Sequence, residues 1–198
     1  MITLCMDTSH TYLVLALIRD DQVIARVQEE CWKKQSEEIF PQLIGMMKRV
    51  QLEPEDIDQI VISEGPGSYT GVRIAMTVAK VVSALRKLPL YTIGTLQLYA
   101  GCEDCRVLLD ARGKRAYTCR FRDGEALEEE QVLPLEEIRP LAENEQIVGD
   151  GHLIGREDVW PDIAENFLAL KDAWKKAENV HLVVPDYLKP SEAYLIHK

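Results

Sequence analysis

Hydrophobic and polar positions along the chain follow two alternating rhythms. Residues 13–18 and 23–27 are short apolar runs around the polar turn Arg19-Asp20-Asp21-Gln22, which predicts a hairpin. With the apolar run 2–6 before them, three antiparallel strands open the chain. The rhythm then changes: Ile39, Phe40, Leu43, Ile44, Met46, Met47 and Val50 recur at helical spacing. Ser36 is the expected cap, and Glu37 and Glu38 lie in the first turn, where the helix dipole favours acids. Pro41 removes one hydrogen bond inside such a helix, so a late start or a bend is expected. A β-branched strand from Ile57 runs into the glycine-rich turn Gly65-Pro66-Gly67-Ser68-Tyr69-Thr70-Gly71. A helix over residues 72–85 follows, with Thr70 as its expected N-cap, and then a short strand at 91–93. Strands in a meander, then alternating with helices, predict a mixed sheet covered by helices.

Around Gly101 the pattern restarts. Residues 106–110 and 116–121 read as strands joined by a polar turn, 125–133 as an acidic third strand, and 136–143 as a short helix. Residues 146–148 form a strand ending in Gly149-Asp150-Gly151, and a helix is expected over 162–177. The expected organisation is a first lobe over residues 1–101 and a smaller second lobe over 102–198, whose last residues return to the first.

Composition narrows the classes. At 198 residues and 46% hydrophobic, the chain can bury one substantial core or two small ones. No apolar stretch is long enough to span a bilayer and the start lacks a basic, cleavable leader, so a cytoplasmic, soluble protein is expected. A net charge of -10 argues against gripping nucleic acid unaided, because phosphate contacts need an excess of Lys and Arg. The basic run Arg112, Lys114, Arg115, Arg120 and Arg122 is a solvated hairpin or a local nucleic-acid phosphate contact. Trp32, Trp160 and Trp174 are too far apart for a stacking platform and read as packing residues. Cys102-Glu103-Asp104-Cys105 offers two metal ligands at most, and its two carboxylates raise rather than lower the thiol pKa. His10, His152, His181 and His197 lack ligand spacing, so no metal site is expected.

The glycine turn carries the most specific chemistry. The unpaired N–H groups at the start of a helix make a seat for an anion, yet the spacing fits neither a Walker A loop nor the dinucleotide fingerprint. Residues 65–74 instead resemble the Gly-Pro-Gly-Ser-Phe/Tyr-Thr-Gly-x-Arg signature of the TsaB (YeaZ) family. Met6-Asp7-Thr8-Ser9, Leu109-Asp110-Ala111-Arg112 with Tyr117, and Pro185-Asp186-Tyr187-Leu188-Lys189 resemble that family in the same order. The resemblance implies an α/β, two-lobed actin-like ATPase (ribonuclease H-like) fold, with a mixed sheet and helices in each lobe and a small second lobe.

It also implies a function: a non-catalytic scaffold that pairs with the TsaD catalytic subunit and recruits the TsaE ATPase. That complex makes N6-threonylcarbamoyladenosine beside the anticodon of tRNAs reading ANN codons, so tRNA is met only through the complex. The alternative is a stand-alone ATP-dependent small-molecule kinase or a metallopeptidase of the same fold. By resemblance the nucleotide cleft lies at Asp7, Thr8, Ser9, Gly65, Gly67, Ser68, Gly149, Asp150 and Gly151, though a lone Gly-Asp-Gly such as 149–151 is more often a plain strand-to-helix turn. Thr8, Ala111 and Arg112 fill the phosphate places and Glu64 adds a negative charge, so the cleft reads as vestigial and no cofactor is expected. The paired histidines of the TsaD family are absent from the first helix, where Gln35 stands. Arg73 in the first turn of the second helix calls for an anion: Glu64 or Asp7, the expected partner, or a bound phosphate.

Both first-lobe helices carry surplus apolar surface. In the second, Arg73, Thr77, Lys80 and Lys87 form one narrow polar stripe. Either the helices only cover each other and the sheet, or they form the partner face. The resemblance favours a face made by Ile39, Phe40, Leu43, Met46, Met47 and Val50 with Ala75, Val78, Ala79, Val82 and Leu85, Gly45 allowing close approach. The same face could form a homodimer when the partner is absent.

Overall fold

A computed structural model describes residues 1–31 and 33–188, so Trp32, Lys189 and His197 lie outside the described residues. The opening meander is β1 (Ile2–Asp7), β2 (Tyr12–Arg19) and β3 (Gln22–Glu30). Then come α1 (Gln35–Arg49), β4 (Gln59–Ser63), α2 (Tyr69–Arg86), β5 (Leu90–Ile93) and α3 (Thr95–Ala100). The second half holds β6 (Cys105–Asp110), β7 (Arg115–Arg122), β8 (Glu125–Ala126), β9 (Gln131–Pro134), α4 (Leu135–Leu141) and β10 (Ile147–Gly149). It closes with α5 (Ile163–Ala169) and β11 (Lys175–Lys176).

The strand order of the first sheet is β11-β5-β4-β1-β2-β3, with β1, β4 and β5 parallel and β2 antiparallel to both neighbours. The second sheet repeats part of this plan: β10 is parallel to β6, β6 is antiparallel to β7, and β7 pairs with both β8 and β9. This is the two-lobed, actin-like mixed α/β arrangement.

Alternate side chains of the first sheet enter different cores. Leu13, Leu15 and Leu17 of β2, with Ile60 and Ile62 of β4, meet α1 and α2 through Ile39, Met46, Ala75 and Ala79. Val14, Ala16 and Ile18, with Val61, face the other way and join Tyr99, Val107, Tyr117, Phe121, Ile163 and Phe167. Burial on both faces explains why these strands are apolar without alternation. The second core is built from both sheets, and a third lies between α4 and the far side of the second sheet at Leu108, Ala116 and Ile138.

Four local expectations change. Ser68 caps α2 by accepting from the Gly71 N–H, and Thr70 lies inside the helix. The first helix starts at Gln35 and runs through Pro41 rather than starting at Ser36 or late; Pro41 and Glu37 are both exposed, so the carbonyl freed by the proline meets water. The third strand of the second sheet splits into β8 and β9 on the same edge of β7. The helix expected over 162–177 stops at Ala169, because Trp174 turns to Tyr91 and its indole N–H donates to the Phe167 carbonyl. The chain then pairs with β5 as β11.

Candidate functional site

Asp7 ends β1 and is fully buried. Here its carboxylate is engaged from three sides. Oδ1 accepts from the Ser9 N–H at 3.0 Å and from the Ser63 hydroxyl, and Oδ2 accepts from the Tyr99 hydroxyl at 3.0 Å. Burial, and then the Asp7 charge, push the Tyr99 hydroxyl well above its ordinary pKa, so it stays protonated as a donor. Thr8 is equally committed: its hydroxyl donates to the Gly71 carbonyl at 2.6 Å and accepts from the Ala75 N–H at 3.0 Å, tying β1 to the first turns of α2.

The glycine loop is consumed by the protein itself. The Ser68 N–H donates to the Ser9 carbonyl at 2.7 Å and the Gly65 N–H to the Thr95 hydroxyl at 3.1 Å. The Gly67 carbonyl accepts from the Tyr117 hydroxyl at 3.4 Å. Side chains are excluded by crossing backbones: a Cβ on Gly71 would lie 2.2 Å from the Thr8 carbonyl oxygen, and one on Gly65, at φ +113°, 2.4 Å from that of Asp186. The segment around Asp186 is a strap that returns over the loop. The Asp186 N–H donates to the Glu64 carbonyl at 2.7 Å, and Lys80 of α2 donates to the His181 and Val183 carbonyls at 3.0 and 2.7 Å. Arg73 therefore meets neither expected carboxylate. Its Nε donates to the Tyr187 hydroxyl at 2.7 Å, and its guanidinium lies 4.3 Å from the centre of the Tyr69 ring, which stacks on Tyr187. The polar stripe of α2 is the track on which the strap lies.

Beneath the strap, Glu130 reaches over Gly94 from the loop before β9. Burial first, then Asp186 and Glu64, push its carboxyl up to about 7, against the opposing pull of Lys175. Folded chain thus holds a proton that the unfolded chain releases near 4.5, so this group's contribution to stability is lost as pH rises from about 4.5 to about 7. Glu130→Gln should remove that component. The urea midpoint of the variant relative to wild type is expected to rise between pH 5 and pH 8, and a constant difference would contradict this assignment.

Between the two sheets lies a cavity of about 310 Å³ lined by Ser9, Gly67, Ser68, Arg112, Asp150 and His152 among others. It gathers candidate residues from both halves of the chain. Gly149 exchanges backbone bonds with Val159 and ends β10, and Gly151 begins a 3-10 turn. Asp150 between them is buried and takes the His10 imidazole at 2.9 Å and the Asp110 N–H at 2.6 Å on one oxygen. His10 and Asp150 both line the cavity, and the His10 ring lies 5.0 Å from that of Trp160. The structure also gathers what histidine spacing did not predict: ligand atoms of Asp150, His152 and Asp158 lie within 4.8 Å of one another. His152 donates its backbone N–H to Asp158 at 2.8 Å, and its ring lies 2.9 Å from the same carboxylate, which raises the His152 pKa.

The basic run is neutralised at its far end, at two of its five residues. Arg120 pairs with Asp104 and Glu145, and Arg122 with Asp104 at 2.8 Å. The buried Arg106 joins Glu128 and Glu145, both at 2.5 Å. Of the two thiols in the Cys-x-x-Cys stretch, Cys102 is exposed and Cys105 buried; burial, then Glu103, push the Cys105 thiol up to about 11. A low-pKa redox pair is not built there.

The expected partner face divides into two groups. Ile39, Met46, Met47, Ala75 and Ala79 are buried in this chain's own core, on the sheet side of their helices, and cannot touch a partner. Leu43, Val50, Val78 and Val82 are half-buried, and Phe40 and Leu85 are exposed. The structure adds Ile44 and Val81: exposure is 51% for Phe40, 52% for Ile44, 52% for Val81 and 79% for Leu85. Gly45 has open space where a Cβ would stand. Val81 and Leu85 also edge a hollow of about 470 Å³ against His181 of the strap. No helix among the described residues is long and apolar enough to cross a membrane.

Comparison with known proteins gives one consistent direction. A family model described as TsaD, tRNA N6-adenosine threonylcarbamoyltransferase, matches residues 25–152. The tRNA threonylcarbamoyladenosine biosynthesis protein TsaB of Bacillus subtilis (strain 168) is 28% identical over 98% of this chain and 96% of its own. That of Escherichia coli (strain K12) is 28% identical over 85% of this chain and 78% of its own. Among solved structures, YeaZ from Pseudomonas aeruginosa has a TM-score of 0.74 at 20% identity, covering 94% of this chain and 99% of that one. An uncharacterized protein with similarity to peptidase YEAZ, from the same species, reaches 0.78 at 21% identity, covering 95% and 99%. Likeness to these structures establishes the shared fold.

Proposed function

The chain belongs to the TsaB (YeaZ) branch of the family that the threonylcarbamoyltransferase model describes and takes part in tRNA threonylcarbamoyladenosine biosynthesis; from that premise we propose that it is a non-catalytic subunit of the modifying complex. The observation that carries this reading is the state of Asp7. A carboxylate that binds metal-nucleotide must offer a free oxygen to the cleft, and this one is turned into a hydrogen-bond hub by Ser9, Ser63 and Tyr99. With the loop N–H groups spent on Ser9 and Thr95, the residues of the ancestral nucleotide cleft hold the fold together. No nucleotide, metal or other cofactor is needed for that role.

The partner is a TsaD-type catalytic subunit, docking on α1 and α2 through Phe40, Leu43, Ile44, Val50, Val78, Val81, Val82 and Leu85. A TsaE-type ATPase is recruited to the pair, and tRNA, modified beside the anticodon for ANN codons, is met through the complex in the cytoplasm. A chain without its partner pairs with a second copy through the same face. The pairing of Arg120 and Arg122 with carboxylates supports indirect tRNA contact, since it neutralises two of the five cations of that run.

Reconstitution tests the reading. Threonylcarbamoyl transfer to tRNA is measured with purified TsaD-type and TsaE-type subunits, with and without this chain, and with this chain alone. Activity should require the chain when the other subunits are present and be absent from the chain alone. Transfer, kinase or peptidase turnover by the isolated chain would overturn it.

A further inference from the structure

We propose that the outer edge of β3 is a docking site for an extended, basic peptide segment of a partner protein, which joins the first sheet as a further strand antiparallel to β3. Strand β3 ends the sheet and pairs with β2 alone. Its outward groups can be identified from the ladder. Cys31 donates its N–H to Thr11 at 2.8 Å, one step beyond the opposed pair Tyr12 and Glu30. Hydrogen-bonded and non-bonded pairs alternate in an antiparallel ladder, so Glu29, Val27 and Ala25 bond inward to Leu13, Leu15 and Leu17. The backbone N–H and C=O groups of Arg26, Gln28 and Glu30 point outward, and among the described residues the protein supplies them no hydrogen bond. A row of this kind is a template for another strand.

Two features of the edge indicate what kind of strand it takes. Beside it, on the α1 side, run two adjoining hollows of about 540 and 370 Å³ that share Glu29. One is bounded by Ala25, Val27, Arg49 and Val50, the other by Glu29, Glu30, Lys34 and Glu38. The second hollow of this trough is acidic on balance, with three glutamates around the single cation Lys34, while the first sets Ala25, Val27 and Val50 beside Arg49. Side chains of Ala25, Val27 and Glu29 share this face, Val27 in the core under α1 and Glu29 held by Gln42 at 3.2 Å. Arg26 and Gln28 turn to the opposite face, where Arg26 meets Asp162 and Glu165 and Gln28 donates to the Pro161 carbonyl at 2.7 Å.

Cross-strand partners share a face, so the incoming residues opposite Glu29 and Ala25 both look into the trough, four positions apart. In an antiparallel strand the residue opposite Glu29 comes first. The preferred segment is therefore Lys or Arg, three residues, then an apolar residue, with backbone bonds supplying affinity and the trough supplying selectivity. This surface meets the proposed α1–α2 partner face at Val50 alone, and the backbone edge that carries it does not depend on that face.

The probe is the synthetic peptide acetyl-Thr-Lys-Thr-Val-Thr-Val-Thr-amide, fluorescently labelled and titrated against the full chain by anisotropy, with amide exchange followed by NMR. Binding should slow exchange at Arg26, Gln28 and Glu30 by about tenfold or more. The double variant Glu29→Lys/Glu38→Lys, exposed or half-buried positions whose fold is checked by circular dichroism, should lose about tenfold in affinity for this peptide and prefer its Lys-to-Glu counterpart. No binding at millimolar peptide, binding without protection of those three amides, or indifference to the charge reversal would each overturn the proposal. So would concentration-dependent protection of the same amides without peptide, which would assign the edge to a second copy of the chain.

Discussion

Gly71→Ala should destabilise the fold by about 3 kcal/mol or more. The added Cβ would stand 2.2 Å from the Thr8 carbonyl oxygen, a backbone atom that cannot rotate away. Relief requires α2 to move off the end of β1, which breaks the paired bonds of the Thr8 hydroxyl to the Gly71 carbonyl and the Ala75 N–H. For a chain of this length the loss corresponds to a fall in Tm of roughly 6 to 12 °C. Gly45→Ala is the contrast: it lies in α1 with nothing within 4 Å of the new atom, and should be neutral or stabilise by about 0.5 to 1 kcal/mol. Thermal unfolding of both variants decides the matter. A Gly71→Ala protein as stable as wild type would mean that the glycine loop is not wedged against β1.

The local pattern of the chain carried most of the fold and less of the site. Strand and helix existence was legible because apolar runs at 13–18 and 106–110 fill two cores at once, while 39–50 has helical spacing. Ends were less legible, since they rest on contacts remote in sequence: Trp174 on Tyr91 stops α5, and Ser9 and Thr8 set the loop that Ser68 caps. Among candidate residues, Asp7 and Thr8 were placed by resemblance to a known motif, but their engagement by Tyr99 and Gly71 depends on packing that spacing cannot show. Arg73 shows the same limit. An unfavourable cation in a first turn was readable, and the partner, a tyrosine 114 positions later, was not. Burial of Ile39, Met46, Met47, Ala75 and Ala79 likewise followed from the direction in which α1 and α2 face the sheet, which periodicity alone does not give.

The α1–α2 face is the centre of the functional account, and the double variant Val81→Arg/Leu85→Arg tests it most directly. Both side chains are more than half exposed, so arginine at either position reaches water and the fold and Tm should be unchanged. In an interface the same two charges would be buried without partners, which weakens binding through the penalty of desolvated, unpaired charge. Capture of the purified TsaD-type subunit by immobilised chain, measured across subunit concentration, should be tight for wild type and weaker by about a hundredfold or more for the variant. A folded variant that captures that subunit at wild-type strength would contradict the account and place the interface elsewhere.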